Sequence, residues 1–155
     1  MQSVLLRLAA IPAALLLIGC AAEGPRFERQ AALNSEVGVI YVYRPLTPVI
    51  GRGEDPYVII AGERMGRLRA GGYLKKILPI GEHKVVVRQS VLFLPTWPES
   101  VEVAVASGTG TYVKVDQRVT GVDITDGATA TQQVFIEEVP GYTGQSEILG
   151  MRENG

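Results

Sequence analysis

The chain has 155 residues, 46% of them hydrophobic and 20% charged, with a formal net charge of −1. That length holds one modest domain, and the near-neutral charge does not suggest a nucleic-acid binder, which needs a basic face. Its 18 glycines and 9 prolines favour turns and strands over long helices. A lone cysteine, Cys20, excludes an intramolecular disulfide.

Residues 1–19 carry Arg7 as their single charge, followed by an apolar run over residues 8–18. The run is shorter than the roughly 20 apolar residues a bilayer span requires, and Pro12 interrupts it; both suit a cleaved signal peptide. Leu17-Ile18-Gly19-Cys20 closely resembles the lipobox of bacterial lipoproteins. The resemblance implies cleavage before Cys20, which becomes the first mature residue and carries acyl chains of the palmitate type. Several chains give the stable anchoring that one chain does not. Removing 19 of the 155 residues leaves 136, and losing Arg7 takes the charge from −1 to −2. The alternative is ordinary secretion with cleavage after Ala21. By resemblance to lipoprotein sorting, Ala21 rather than Asp after the cysteine implies the periplasmic face of the outer membrane. Residues 20–35 are small, polar and broken by Gly24-Pro25. They read as a flexible tether of roughly 20 Å.

The domain is expected over residues 36–140. Residues 37–44 are β-branched and aromatic and end at Pro45. Val37, Val39, Tyr41 and Tyr43 take one face, Ile40 and Val42 the other, so the strand is central. Residues 45–56, with three prolines and mixed charge, form a loop; Arg52 and Asp55 within it are candidate partner contacts. Short strands follow at 57–60, 63–68, 73–78 and 83–88, separated by Ala61-Gly62, Gly71-Gly72 and Pro79-Ile80-Gly81.

The run Val58-Ile59-Ile60-Ala61-Gly62, then Met65-Gly66, Gly72-Tyr73, Gly81-Glu82-His83 and Val85-Val86-Val87 resembles the PEGA-type sandwich module. It is more similar still to a family of bacterial lipoproteins, domain-of-unknown-function family 2846, which the opening Val39-Ile40-Tyr41-Val42-Tyr43-Arg44-Pro45 also suits. The resemblance covers residues 37–90, with a weaker echo to Val139. It implies a small β-sandwich at the envelope and no known activity. Two positions depart from the pattern. Ala61 stands where Asn or Asp precedes the turn glycine, which predicts a type II turn with only Gly62 at positive φ. Ile80 also separates Pro79 from Gly81.

Residues 90–98 contain Leu92, Phe93, Leu94 and Trp97 between prolines, an apolar flap whose Phe93 and Trp97 are candidate ligand contacts. Val101, Val103 and Val105 alternate as a half-buried strand. Residues 107–110 read as a hairpin turn, 111–116 as the returning strand, 120–131 as a loop and 132–139 as the last strand. Residues 141–155 read as a tail with at most one helical turn around Ile148-Leu149.

His83 is the only histidine, and without a Gly-x-Ser-x-Gly elbow it reads as structural. With Cys20 committed to lipid, the nitrogen and sulfur ligands are too few for zinc. Asp123, Asp126, Glu137 and Glu138 lack EF-hand spacing and read as solvated acids. Residues 107–110 precede a strand, not a phosphate-binding helix. Arg64, Arg67, Arg69, Lys75 and Lys76 form a local basic cluster, read as the hydrated outer face of a sheet. The expectation is therefore an antiparallel all-β sandwich of about seven strands with no cofactor, no metal and no catalytic residue. Its expected role is to bind another envelope component, and the alternative is a glycan or small ligand held at Trp97.

Overall fold

The computed structural model describes residues 22–30, 34–46, 55–91, 94–95, 98–123, 125 and 129–154. Residues 1–21, among them Cys20, and Arg52, Phe93 and Trp97 lie outside them. Among the described residues, eleven strands and one helix follow in order: β1 (Val37–Arg44), β2 (Tyr57–Ile60), β3 (Glu63–Arg67), β4 (Gly72–Pro79), β5 (Gly81–Arg88), β6 (Ser90–Val91), β7 (Leu94–Pro95), β8 (Glu99–Val105), β9 (Gly110–Asp123), β10 (Thr129–Val139), α1 (Gly141–Ile148) and β11 (Arg152–Glu153). The fold is an all-β sandwich. One sheet has the order β10-β9-β1-β4-β11, the other β3-β2-β5-β8, while β6 and β7 pair separately.

Alternation on β1 decides the layering. Ile40 and Val42 enter the space between the sheets, where they meet Val58 and Ile60 of β2, Val85 and Val87 of β5, Val103 and Val105 of β8, and Val113 and Val115 of β9. Val39, Tyr41 and Tyr43 point the other way and are equally buried. They form a second apolar cluster with Tyr73, Tyr112, Ile148 and Met151. Residues of both faces of β1 are thus removed from water, as its two-sided apolar pattern predicts. Covering the second face takes a third layer, supplied by residues 22–30 and α1, with β11 extending the sheet at its edge.

That layer corrects the expected tether and tail. Ala22 is buried, and the backbone N–H of Gly24 donates to Glu153 O (3.1 Å) and that of Phe27 to Met151 O (2.8 Å). Glu153 N–H donates in return to Pro25 O at 2.8 Å. The C-terminal residues form α1 and then β11, which pairs with β4. Weak helical periodicity concealed both, because each segment is held by partners distant in sequence.

The sandwich is also not purely antiparallel. β9 runs parallel to β1, and β11 parallel to β4. Between β1 and β9 the chain builds the second sheet and lays β4 along the other edge of β1, then returns beside β1 in the same direction, a crossover that gives a parallel pair. Residues 107–110 are consequently no hairpin turn: β8 belongs to one sheet and β9 to the other. This corner rests on the start of β1, with Gly108 N–H donating to Val37 O (2.9 Å) and Val39 N–H to Thr109 O (3.0 Å). A Cβ on Gly38 would stand 2.4 Å from Ala106 O, so only glycine admits the corner. The expected loop at 120–131 is shorter than its composition implies, since β9 and β10 pair from Asp123–Thr129 onward.

The β2–β3 turn departs from expectation too. Ala61 has φ +50° and Gly62 φ +80°, the two positive values of a type I′ turn. Hairpin twist favours this turn over type II, and the alanine bears the steric penalty. Ala61→Asn is therefore expected to stabilise the protein by about 1 kcal/mol, since asparagine tolerates this region, with Tm rising by roughly 3 °C in a thermal scan. An unchanged Tm would mean the strain is relieved elsewhere.

Candidate functional site

Register brings the tyrosines together. Tyr41 lies directly opposite Tyr112 across the β1–β9 pair, and Tyr43 opposite Tyr73 across β1–β4. Tyr41 and Tyr112 stack at 5.2 Å between ring centroids, 18° from parallel. Phe27, carried in by residues 22–30, meets Tyr41 and Tyr73 edge-on at 5.2 and 5.6 Å. Such pairs contribute about 0.5–1.5 kcal/mol each beyond area burial. Helix α1 lies on the same face through Ile148, which is fully buried, and through Gly144, packed on Tyr112. Burial raises the hydroxyl pKa of Tyr41 and Tyr112, and pushes that of Tyr73 up to about 12 with help from the Glu153 carboxylate. These tyrosines are neutral donors over the whole physiological range.

The third layer does not seal the face. Arg29 and Gln30 on one side, and Gly141, Tyr142 and Gln145 of α1 on the other, flank a cleft of about 500 Å³ floored by Tyr41 and Tyr112. Gly108, Thr109 and Gly110 of the inter-sheet corner close its end. A second groove of about 380 Å³ shares Arg29, Tyr142 and Gln145 and continues to Phe27 and Leu149. Tyr142 is 79% exposed and Leu149 68% exposed. The lining offers a guanidinium, two amides, hydroxyls and aromatic faces, a set that orients a bound polar chain while burying its apolar parts.

One ion pair fixes α1 over the sheet. The Tyr43 hydroxyl donates to Glu147 Oε2 at 2.7 Å, and Lys114 Nζ lies 2.9 Å from the same oxygen. Burial raises the Tyr43 pKa, and Glu147 raises it further. For Glu147, burial works upward but is outweighed by the Tyr43 hydroxyl and the Lys114 ammonium, which hold it below the ordinary 4.5. A lowered folded-state pKa stabilises above the unfolded value and is lost as pH falls through the folded one. Glu147→Gln is expected to cost about 1.5 kcal/mol at pH 7 in urea unfolding. That difference should shrink below about pH 4.5; a pH-independent difference would place Glu147 in solvent.

The opposite end of the sandwich holds the buried Arg44. Its guanidinium donates to Asp55 Oδ1 (3.1 Å), to Leu68 O (3.3 Å) and to Gln117 Oε1. Gln117 Nε2 is buried without a partner among the described residues. Asp55, a candidate contact by sequence, is thus the structural partner of Arg44. The other candidates, Cys20, Arg52, Phe93 and Trp97, lie outside the described residues.

The basic cluster is dispersed. Arg64 and Arg67 lie over the Tyr57 ring at 4.0 and 4.8 Å, Lys76 pairs with Glu63 (2.7 Å), and Lys75 pairs with Glu153 (2.9 Å) on the other face of β4. His83 donates from Nε2 to Pro79 O at 2.8 Å, bracing the β4–β5 turn. Among the described residues, no three His, Cys, Asp or Glu side chains converge as a metal site. Sequence reasoning missed the cleft. Its signal was the pair of tyrosines on a strand apolar on both faces, which requires a cover that no adjacent segment announces.

The two-sheet body, glycine turns and β1 pattern accord with the match of residues 34–129 to the family described as "Protein of unknown function (DUF2846)". The chain belongs to this family. No curated protein and no solved structure matches it. The family match takes in the cleft floor, Tyr41 and Tyr112, and the corner at 108–110. Arg29, Gln30, Tyr142 and Gln145, the two flanking walls, lie outside it.

Proposed function

We propose that this chain is a non-catalytic lipoprotein of the bacterial envelope, with a PEGA-like body acylated at Cys20 on the periplasmic face of the outer membrane. In this reading it holds a segment of another envelope protein in the tyrosine-floored cleft. The anchor is supported by Leu17-Ile18-Gly19-Cys20, by Arg7 before the apolar run, and by Ala21 after the cysteine. The binding role rests on one observation: the third layer leaves an open cleft, with an exposed Tyr142 beside Arg29 and Gln145, above an otherwise buried aromatic face. Exposed aromatic rings next to guanidinium and amide donors are characteristic of interaction sites.

A photo-crosslinking residue in place of Tyr142, introduced into the acylated protein in cells, tests this reading. One predominant protein adduct is expected, and it should be lost when Arg29 and Gln145 are both changed to alanine. Adducts that survive the double change, or none at all, would count against it. A second reading, a glycan ligand, is favoured by the pairing of a flat exposed ring with amide donors, the arrangement on which sugar rings stack. It predicts amide shifts at Gly110 and Gln145 when envelope glycan fragments are titrated.

A further inference from the structure

The distance from the acylated residue to the folded body determines which end of the sandwich meets the membrane. Ala22 is 5% exposed, and a Cβ built on Gly72 would stand 2.8 Å from its Cβ and 2.5 Å from Asn154 Oδ1. The chain is therefore already part of the fold two residues after Cys20, and two residues reach at most roughly 7 Å. Resting on the lipid-anchor reading above, we propose that the end of the sandwich carrying Leu46, Arg69 and the β4 start is held against the lipid headgroups. The cleft then faces away from the membrane.

The local surface suits that contact. Gly72 pairs with Arg44, and Gly71 N–H donates to Arg44 O at 2.8 Å, which brings Leu46 beside the anchor point. Leu46 is 69% exposed and lies against Gly71. Arg69 is exposed, and its backbone N–H donates to Asn154 Oδ1 (3.2 Å), tying the β3–β4 connection to the same spot. An exposed leucine beside an arginine is the pairing that settles at the interface, the apolar chain entering the acyl boundary and the cation meeting phosphate. Glu23 is exposed there as well, so the contact depends on the short linkage and on Leu46 rather than on net charge. β4 carries the chain from Gly72 to Pro79, roughly 23 Å away. Ile80, 52% exposed, and the 108–110 corner of the cleft are at that far end.

Cys20 is the sole cysteine, and acylation occupies its thiol. A single introduced thiol therefore takes an environment-sensitive fluorophore cleanly. The full acylated chain carrying Leu46→Cys, Arg69→Cys or Ile80→Cys is labelled and reconstituted into vesicles of phosphatidylethanolamine and phosphatidylglycerol. Labels at 46 and 69 are expected to emit to the blue, resist iodide and be quenched by doxyl lipids. The label at 80 should behave as in water. Vesicle-bound protein with all three labels equally open to iodide, or with 80 the protected one, overturns the orientation and leaves the anchor standing. Protein that lacks acyl mass and stays out of the vesicle fraction overturns both.

Discussion

Replacing Arg44 with alanine is expected to lower the unfolding free energy by about 3 kcal/mol, with a proportionate fall in the urea midpoint. The Arg44 side chain is 9% exposed, and acceptors of its guanidinium sit on different elements: Asp55 before β2, Leu68 after β3 and Gln117 in β9. Removing it strands Gln117, whose Nε2 is already without a partner among the described residues, and opens a cavity between the sheets. Unpaired buried polar groups and cavities are the two mechanisms behind large losses. Asp55 is less costly to change, because its side chain is 31% exposed and water can solvate what remains. Asp55→Asn is expected to cost about 1 kcal/mol. Equal effects at the two positions would show that the ion pair, rather than the buried guanidinium, carries the interaction.

The second large effect inverts a familiar rule. In an exposed helix, glycine to alanine gains about 1 kcal/mol. Gly144 is inside α1, yet a Cβ there would stand 2.3 Å from both Cβ and Cγ of Tyr112. The obstacle is the root of a ring held in the sheet, which cannot swing aside. Gly144→Ala is expected to destabilise by about 1–3 kcal/mol, the range of overpacked cores. Gly144→Val should lift the helix, release the Tyr43–Glu147 bond and open the chain to proteolysis after residue 140. A stabilised alanine variant would place α1 off the sheet.

The fold was legible wherever a strand carried its own pattern. Val39 to Tyr43 announced a central strand buried on both faces, and the alternating Val101, Val103 and Val105 of β8 marked a strand with one face in the core. What escaped was non-local. Residues 107–110 look the same as a hairpin turn and as a corner between sheets; only the pairing partners of β8 and β9 distinguish the two. Residues 22–30 are polar and broken by Gly24-Pro25, as a linker would be, but β11 offers them backbone partners that composition does not reveal. Ala61 was read from its intrinsic preference, whereas the twist of β2 and β3 imposed the turn. The cleft depends on all of these at once, since its walls come from the N-terminal segment, the corner and α1.

The decisive measurement is amide hydrogen exchange at Gly24, Phe27 and Glu153. If residues 22–30 belong to the folded body, Phe27 and Glu153 exchange together, far more slowly than in an unstructured peptide, because each bond requires the other segment in place. Exchange of Gly24 and Phe27 at the free-peptide rate, with Glu153 still protected, would make the segment a spacer. It would then leave the aromatic face uncovered and the cleft without a wall.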